Sequence, residues 1–166
     1  MRGEPPFSAP SYELPSGSLN PLNNRNDAIT IGELLAKINP WITLGFTANH
    51  FLNYFTRRDP GLNRYLVVQN GHKIGTVCVR YPWLRGAYIE LIGLAEPYQG
   101  RGLGRQIIRW VVEETRQESR NLWVAVSDFN PRAMSFYERQ GFRVAALLPD
   151  LVKPGFDEIL MRKTLK

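Results

Sequence analysis

Residues 99–105 read Gln-Gly-Arg-Gly-Leu-Gly-Arg, and this stretch decides how the chain around it folds. It follows an apolar run that ends at Leu94 and precedes an apolar pattern with helical spacing that starts at Leu103. The sequence therefore predicts a strand, a glycine-rich turn and the start of a helix. The first amides of such a helix lack partners within it and lie at the positive end of its dipole, so the turn is predicted to bind phosphate.

The spacing of the glycines excludes two common phosphate-binding loops. A dinucleotide-binding G-x-G-x-x-G would need its third glycine where Arg105 stands, and the chain contains no Gly-Lys-Ser or Gly-Lys-Thr of a Walker loop. Arg101, Arg105 and Arg109 are four residues apart and are predicted to line one face of the helix. Such a row of cations would attract a ligand that carries several phosphates.

The turn resembles the pyrophosphate loop of the GNAT acyl-CoA N-acyltransferases, whose pattern is Gln/Arg-x-x-Gly-x-Gly/Ala. Gln99, Gly102 and Gly104 occupy the pattern positions. With the flanking motifs described next, the resemblance covers roughly residues 86–147.

Two flanking segments extend this resemblance. Residues 92–98 are similar to the family's strand ending, Leu-Ala-Val-x-Pro-x-Tyr, although Gly93 stands where alanine is usual and Pro97 falls one place late. Residues 130–142 resemble the family's second motif, Asn-Pro-x-Ala-x-x-Phe-Tyr-Glu-x-x-Gly-Phe. Both departures lie at the strand end.

The resemblance implies acetyl-CoA as cosubstrate and no metal. In the family, the cofactor contacts the strand end, the glycine loop and the start of a later helix. The matching positions here are Ile92, Gly93, Leu94, Gln99, Gly100, Arg101, Gly102, Leu103, Gly104, Arg105 and Asn130. The Leu94 N–H is the expected donor to the thioester oxygen, where negative charge develops during acyl transfer. Asn130 would either contact the cofactor or only cap its helix.

Two residues are predicted to be catalytic. Strict alternation along the strand puts Tyr88, Glu90, Ile92 and Leu94 on one face, with Ile89 and Leu91 on the other. A carboxylate at Glu90, within an apolar strand, suits a general base for the acceptor amine, and pairing with an arginine or exposure to solvent is the alternative.

Tyr137 matches the family tyrosine that protonates the departing CoA thiolate. A role as a core aromatic residue is the alternative for this side chain.

Other acidic and aromatic groups carry weaker predictions. Asp150, Asp157 and Glu158 would receive a cationic amine or be solvated surface charges. Aromatic residues between positions 41 and 55 would line the acceptor side or fill the core. Two separated histidines and one cysteine are not a metal-binding pattern.

Length and composition favour a single domain. The chain has 166 residues, and residues 1–16, rich in proline, serine and glycine, are predicted to form a disordered or loose arm before a domain over residues 17–166. No apolar run approaches the ~18–20 residues of a membrane span, and residues near the start lack the apolar core of a secretory signal. The single cysteine excludes an internal disulfide framework, so a cytoplasmic location is predicted.

The net charge of +6 is spread over both halves of the chain. A nucleic-acid-binding protein would concentrate its cations in one patch, so no nucleic-acid or membrane partner is expected. The expected partners are acetyl-CoA and an amine acceptor, with the protein as a monomer or homodimer.

The pattern of elements predicts an α+β protein with the GNAT fold: a single mixed, mostly antiparallel sheet flanked by helices. The clearest local signals are Asn70-Gly71 as a hairpin turn and Asn130 as the cap of a helix that starts at Pro131. Asp27 is predicted to cap a helix over residues 28–38.

The chain is therefore predicted to be an N-acetyltransferase that moves acetyl from acetyl-CoA to a primary amine of a small molecule or protein. A non-catalytic acyl-CoA-binding module, or a transferase of another acyl group, is the alternative.

Overall fold

The computed structural model describes residues 3–166, which form eight strands, five α-helices and one 3-10 helix. The strands are β1 (Tyr12–Leu14), β2 (Gly17–Pro21), β3 (Leu62–Gln69), β4 (His72–Trp83), β5 (Gly86–Leu94), β6 (Asn121–Ser127), β7 (Arg143–Lys153) and β8 (Phe156–Thr164). The helices are α1 (Arg25–Leu35), α2 (Trp41–Leu44), α3 (Ala48–Thr56), α4 (Leu103–Thr115) and α5 (Pro131–Arg139), with the 3-10 helix at Glu96–Tyr98. No helix among the described residues is both long and apolar enough to cross a bilayer.

All eight strands belong to one sheet in the order β1-β2-β3-β4-β5-β6-β8-β7. Neighbouring strands are antiparallel except for β5 and β6, which are parallel and are connected by α4. This arrangement confirms the predicted α+β class with a single, mostly antiparallel sheet.

The helices cover the sheet on both faces and create two hydrophobic cores. On one face, α4 and α5 pack against the strands around Ile107, Val111 and Phe142, all with less than 1% of their surface exposed. On the other face, α1 and α3 pack around Ile31 and Leu35. We call these the α4 face and the α1 face.

Local sequence signals predicted several turns correctly. Asn70 and Gly71 both have positive φ, as a tight hairpin between β3 and β4 requires. The side chain of Asn130 accepts a hydrogen bond from the Ala133 N–H and caps α5, which starts at Pro131.

The start of α1 differs from the prediction. The cap is Asn24, whose side chain accepts from the Asp27 N–H, and the helix ends at Leu35. Asp27 lies in the first turn, buried and ion-paired with Lys73 of β4. Lys73 is 46 residues away, and this long-range partner explains the acidic side chain that sequence reasoning assigned to a cap.

The segment before residue 17, predicted as a loose arm, is packed against the rest of the structure. Residues 1 and 2 of this segment lie outside the described part of the chain. Residues 12–14 form β1, an edge strand paired with β2. Phe7 is 6% exposed and packs edge-on against Tyr81 and Trp110. The arm is thus a packed part of the α4 face, because aromatic partners distant in sequence bury its few apolar side chains.

Candidate functional site

The sheet opens between its two parallel strands. The ladder between β5 and β6 runs from the pair Gly86–Asn121 to the pair Ile89–Val124 and ends there. Both strands continue beyond this point, β5 to Leu94 and β6 to Ser127. The result is a V-shaped opening in the sheet, which we call the splay, lined on both sides by backbone groups.

The backbone of the β5 end is oriented toward the splay at alternate residues. The Ala95 N–H donates to the Ile74 carbonyl, and the Gly93 carbonyl lies against Gly75, so these groups face β4. Because polar groups of successive strand residues point to opposite edges, the N–H and C=O groups of Ile92 and Leu94 face the splay. The Leu94 N–H therefore has the direction that the predicted contact to a thioester oxygen needs.

The glycine loop leads from this strand end to the start of α4. Gly100 and Gly102 have φ values of 71° and 87°, which favour glycine. Gln99 holds the loop to the strand, since its side-chain amide donates to the Leu94 carbonyl at 2.8 Å.

The start of α4 has the properties of an anion site. Gly102 occupies the cap position without a side-chain hydrogen bond, and the first turn contains no acidic residue. Leu103 anchors this turn, with 1% of its surface exposed. Arg101 and Arg105 are exposed beside it. Free amides, the helix dipole and two cations thus converge on one place, as phosphate binding requires.

Gly104 has a packing role besides the cofactor contact that its motif position predicts. A Cβ at this residue would lie 3.2 Å from the ring of Phe136 on α5, so its lack of a side chain permits close packing of α4 against α5. The loop glycine that is open to a ligand is Gly102, which has no heavy atom within 4 Å of a built Cβ.

A β-bulge at Glu90 corrects the predicted alternation of β5. Ile89 pairs with Val79 and Leu91 with Cys78, so Glu90 is the extra residue. Ile89 consequently packs with Ile92 and Leu94 on the α4 face, whereas Leu91 packs on the α1 face. The bulge lies where the splay begins.

The Glu90 carboxylate is held by an arginine. Arg80 Nε donates to Glu90 Oε2 at 2.6 Å, and Arg80 also donates two hydrogen bonds to Asp59 at 2.9 and 3.1 Å. The Glu90 side chain retains 20% exposure. The arginine alternative is therefore present in the structure, and the general-base role of Glu90 stays a prediction.

Tyr137 is on α5, 5% exposed, with its ring packed edge-on against Phe136 and Phe142. Burial raises the pKa of its hydroxyl, and the nearby hydroxyl of Tyr88 raises it further. The hydroxyl is therefore in its protonated form at neutral pH.

A second carboxylate lies on the opposite side of the splay. Glu158 of β8 is paired in register with Ser127, the last residue of β6, and its Oε1 accepts a hydrogen bond from the Ser127 hydroxyl at 2.6 Å. Glu158 is 5% exposed. Burial raises the pKa of the Glu158 carboxyl, and the negative charge of Asp128 raises it further. The hydrogen bond from Ser127 lowers this pKa, but by less than burial raises it.

Aromatic side chains lie at both ends of β5, Trp83 beside its start at Gly86 and Trp41 beside Gly93, near its end. Trp83 packs against Tyr88 and Trp123, with centroid distances of 4.6 and 5.9 Å. Leu35 and Trp41 both lie over Gly93, where a Cβ would clash with the Leu35 side chain and come within 2.9 Å of the indole ring. These two contacts explain why glycine replaces the usual alanine in the strand motif.

Sequence reasoning missed the partners of these groups. Arg80 and Asp59 carried no motif, and the pairing of Arg80 with Glu90 depends on a bulge that periodicity cannot reveal. Glu158 was one of three acidic candidates, and only the burial of its side chain distinguishes it from the half-buried Asp157 and the exposed Asp150. The sequence predicts the strand that ends near Ser127, but it does not give the register that places Ser127 beside Glu158.

Comparisons with known proteins agree with this geometry. Residues 28–142 match the family model described as the acetyltransferase (GNAT) family. The blasticidin-S acetyltransferase of Streptomyces morookaense is 31% identical over 87 residues, which are 52% of this chain and 61% of that protein. The chain thus matches less than two thirds of the length of this relative.

Two solved structures share the fold. An acetyltransferase from Thermus thermophilus superposes with a TM-score of 0.74 at 22% identity, over 93% of this chain and 100% of that one. A GNAT family acetyltransferase from Elizabethkingia anophelis, crystallised with acetyl-CoA bound, superposes with a TM-score of 0.57 at 22% identity, over 63% of this chain and 77% of that one.

Proposed function

Because the chain belongs to the GNAT acetyltransferase family, we propose that it transfers the acetyl group of acetyl-CoA to a primary amine. The observation that carries the proposal is the splay between β5 and β6, which leads directly to the uncapped start of α4. Backbone groups of Ile92 and Leu94 face the opening, and the anion site lies at its end. This combination suits a long ligand with amide groups at one end and phosphates at the other.

The residues of the chain fit acetyl-CoA. The α4 amides at residues 103–105, with Arg101 and Gly100 beside them, would hold the pyrophosphate. The N–H and C=O groups of Ile92 and Leu94 would pair with the pantetheine amides, and Asn130 at the start of α5 would complete the contact. Acetyl-CoA supplies the activated acetyl thioester.

The proposed catalytic residues divide the work of acyl transfer. Leu94 donates its N–H to the thioester oxygen as negative charge develops there. Glu90, on the β5 side of the splay, attracts the ammonium form of the acceptor. Tyr137 donates its proton to the sulfur of the leaving CoA as the carbon–sulfur bond breaks.

The sheet face around Trp41, Trp83 and Trp123 is the proposed acceptor side. The identity of the acceptor stays open between a small molecule and a protein amine, because the matched relative is named for one antibiotic and covers only part of this chain. A cytoplasmic location and a monomeric or homodimeric state stay predictions.

Acetyl-CoA binding and turnover test the proposal together. The protein should gain thermal stability from acetyl-CoA, since a ligand that binds only the native state shifts unfolding. Incubation with acetyl-CoA and a panel of small amines and of peptides with free N-termini or lysines should release free CoA. Binding without CoA release would favour the acyl-CoA-binding module, release only with a different acyl-CoA would favour the other transferase, and no binding would contradict the family-based function.

A further inference from the structure

Ser127 and Glu158 form a buried, hydrogen-bonded pair at the end of the ladder between β6 and β8. Both side chains are on the sheet face that also carries Trp123, because residues alternate along β6 and Leu122, Val124 and Val126 pack on the α4 face. Tyr88 is the parallel-ladder partner of Trp123. Glu158 therefore lies on the proposed acceptor side of the splay, across from β5.

The Glu158 carboxylate lacks a compensating cation. No lysine, arginine or histidine nitrogen in the described part of the chain lies within 4.0 Å of it. Its hydrogen bond comes from a neutral hydroxyl, that of Ser127. A buried carboxylate without a cation is costly when ionised, so it binds a proton more readily than an exposed one.

Two titratable groups, Asp128 and Tyr88, lie near Glu158. Asp128, in the turn after β6, raises its pKa through like charge. Tyr88 of β5 is within electrostatic reach, since Glu90 and Glu158 contribute, after burial, to raising the pKa of its hydroxyl to about 12. From β7, the register partner is Leu148, which does not titrate. Tyr88 thus lies in the field of both carboxylates.

Glu90 has the opposite environment. Arg80 donates to both of its oxygens, at 2.6 and 3.3 Å. Each oxygen of this carboxylate is thus already engaged by the guanidinium group. The proton of the amine therefore needs another destination.

We infer that Glu158, with Ser127 as its hydrogen-bond partner, is the general base that receives the proton of the acceptor amine. This assignment rests on the proposed acetyl transfer. The ammonium first loses one proton to the Glu158 carboxylate, directly or through the Ser127 hydroxyl, and the neutral nitrogen then bonds to the acetyl carbon. As the carbon–sulfur bond breaks, Tyr137 gives its proton to the CoA sulfur, and the second proton that nitrogen loses restores the Tyr137 hydroxyl. The net proton released by the reaction is the one held by Glu158, which passes it to solvent.

The substitution Glu158→Gln distinguishes a general base from a residue with only a structural role. With an amine that the wild-type protein acetylates, kcat/KM at pH 7 should fall by ~10²-fold, the usual size of a lost general base. The deficit should narrow as the pH rises toward the pKa of the amine, because free amine then needs no base. Glu90→Gln should instead raise KM for the amine, with a loss that does not change with pH.

Two further variants serve as controls. Ser127→Ala removes the hydrogen bond that lowers the pKa of Glu158, so the acidic limb of the kcat/KM profile should move to higher pH, which a purely structural effect would not produce. Asp157→Asn changes the adjacent carboxylate, whose Oδ1 accepts from the Asp150 N–H, and should leave the profile unchanged.

Two results overturn the assignment. One is wild-type activity of Glu158→Gln from pH 6 to 10. The other is a loss of kcat/KM that becomes smaller with rising pH in Glu90→Gln and not in Glu158→Gln. If Glu158→Gln does not fold, an unmoved acidic limb in Ser127→Ala overturns it. Wild-type protein that releases no CoA with any amine overturns the proposed function, and the assignment with it.

Discussion

Two carboxylates on one side of the sheet differ in what surrounds them. Glu90 contacts a guanidinium group, whereas Glu158 contacts a hydroxyl and is more deeply buried. The same side chain is thereby suited to two tasks: attraction of a cation in one place and acceptance of a proton in the other. Environment, not residue type, distinguishes the two roles.

Tyr137→Phe tests the proton donor at this scale. The change keeps the buried ring and removes only the hydroxyl, so kcat should fall ~10²-fold or more while the Kd of acetyl-CoA stays nearly constant. Steady-state kinetics and calorimetric titration measure the two quantities. Undiminished turnover in the variant would reduce Tyr137 to a packing residue.

The splay, the bulge and the glycine loop form one unit at the element scale. The ladder from β5 to β6 ends at Ile89, the bulge follows at Glu90, and the freed strand edge continues to Leu94. Gln99 then ties the loop to this edge. The polar groups of β5 therefore become available to a ligand just before the start of α4.

Gly102→Val tests the anion site at the start of α4. Valine is strained at a φ of 87° and would place a branched side chain beside the free amides, so acetyl-CoA should no longer raise the Tm. Gly71→Val is the matched control, since Gly71 also has positive φ and open surroundings but lies in the β3–β4 turn. It should lose stability and keep the acetyl-CoA shift.

Loss of the shift in both variants would mean that general destabilisation, not the anion site, is responsible. Gly104→Val is less informative than its motif position suggests. Its Cβ would press on Phe136, so any effect on acetyl-CoA would come through the packing of α4 and α5.

Elements with local determinants could be predicted from sequence, and those with distant partners could not. The turn at Asn70-Gly71 and the cap at Asn130 are specified within four residues, and both predictions are confirmed. The bulge at Glu90 depends on the register with β4, which no short window contains. The ion pair of Asp27 with Lys73, 46 residues away, is likewise outside any short window, and the sequence therefore predicted Asp27 as a helix cap.

The segment before residue 17 connects distant parts of the molecule by hydrogen bonds. The Phe7 N–H and the Tyr12 hydroxyl both donate to Glu114 Oε2 of α4, at 2.8 and 3.0 Å. The Tyr65 hydroxyl of β3 donates to the Phe7 carbonyl at 3.2 Å. One segment thereby connects the edge of the sheet to the helix whose start forms the anion site.

Phe7→Ala tests whether this segment is part of the fold or a loose arm. The side chain is buried against Tyr81 and Trp110, so its removal leaves a cavity on the α4 face and should lower the free energy of unfolding by about 3 kcal/mol. Urea unfolding measures the change, and Ser8→Ala, at an exposed neighbouring position, is the control. An arm that does not pack would give the same midpoint for both variants. If Phe7→Ala also weakens acetyl-CoA binding while Ser8→Ala does not, the segment positions α4 as well as stabilising it, because Glu114 and the anion site belong to the same helix.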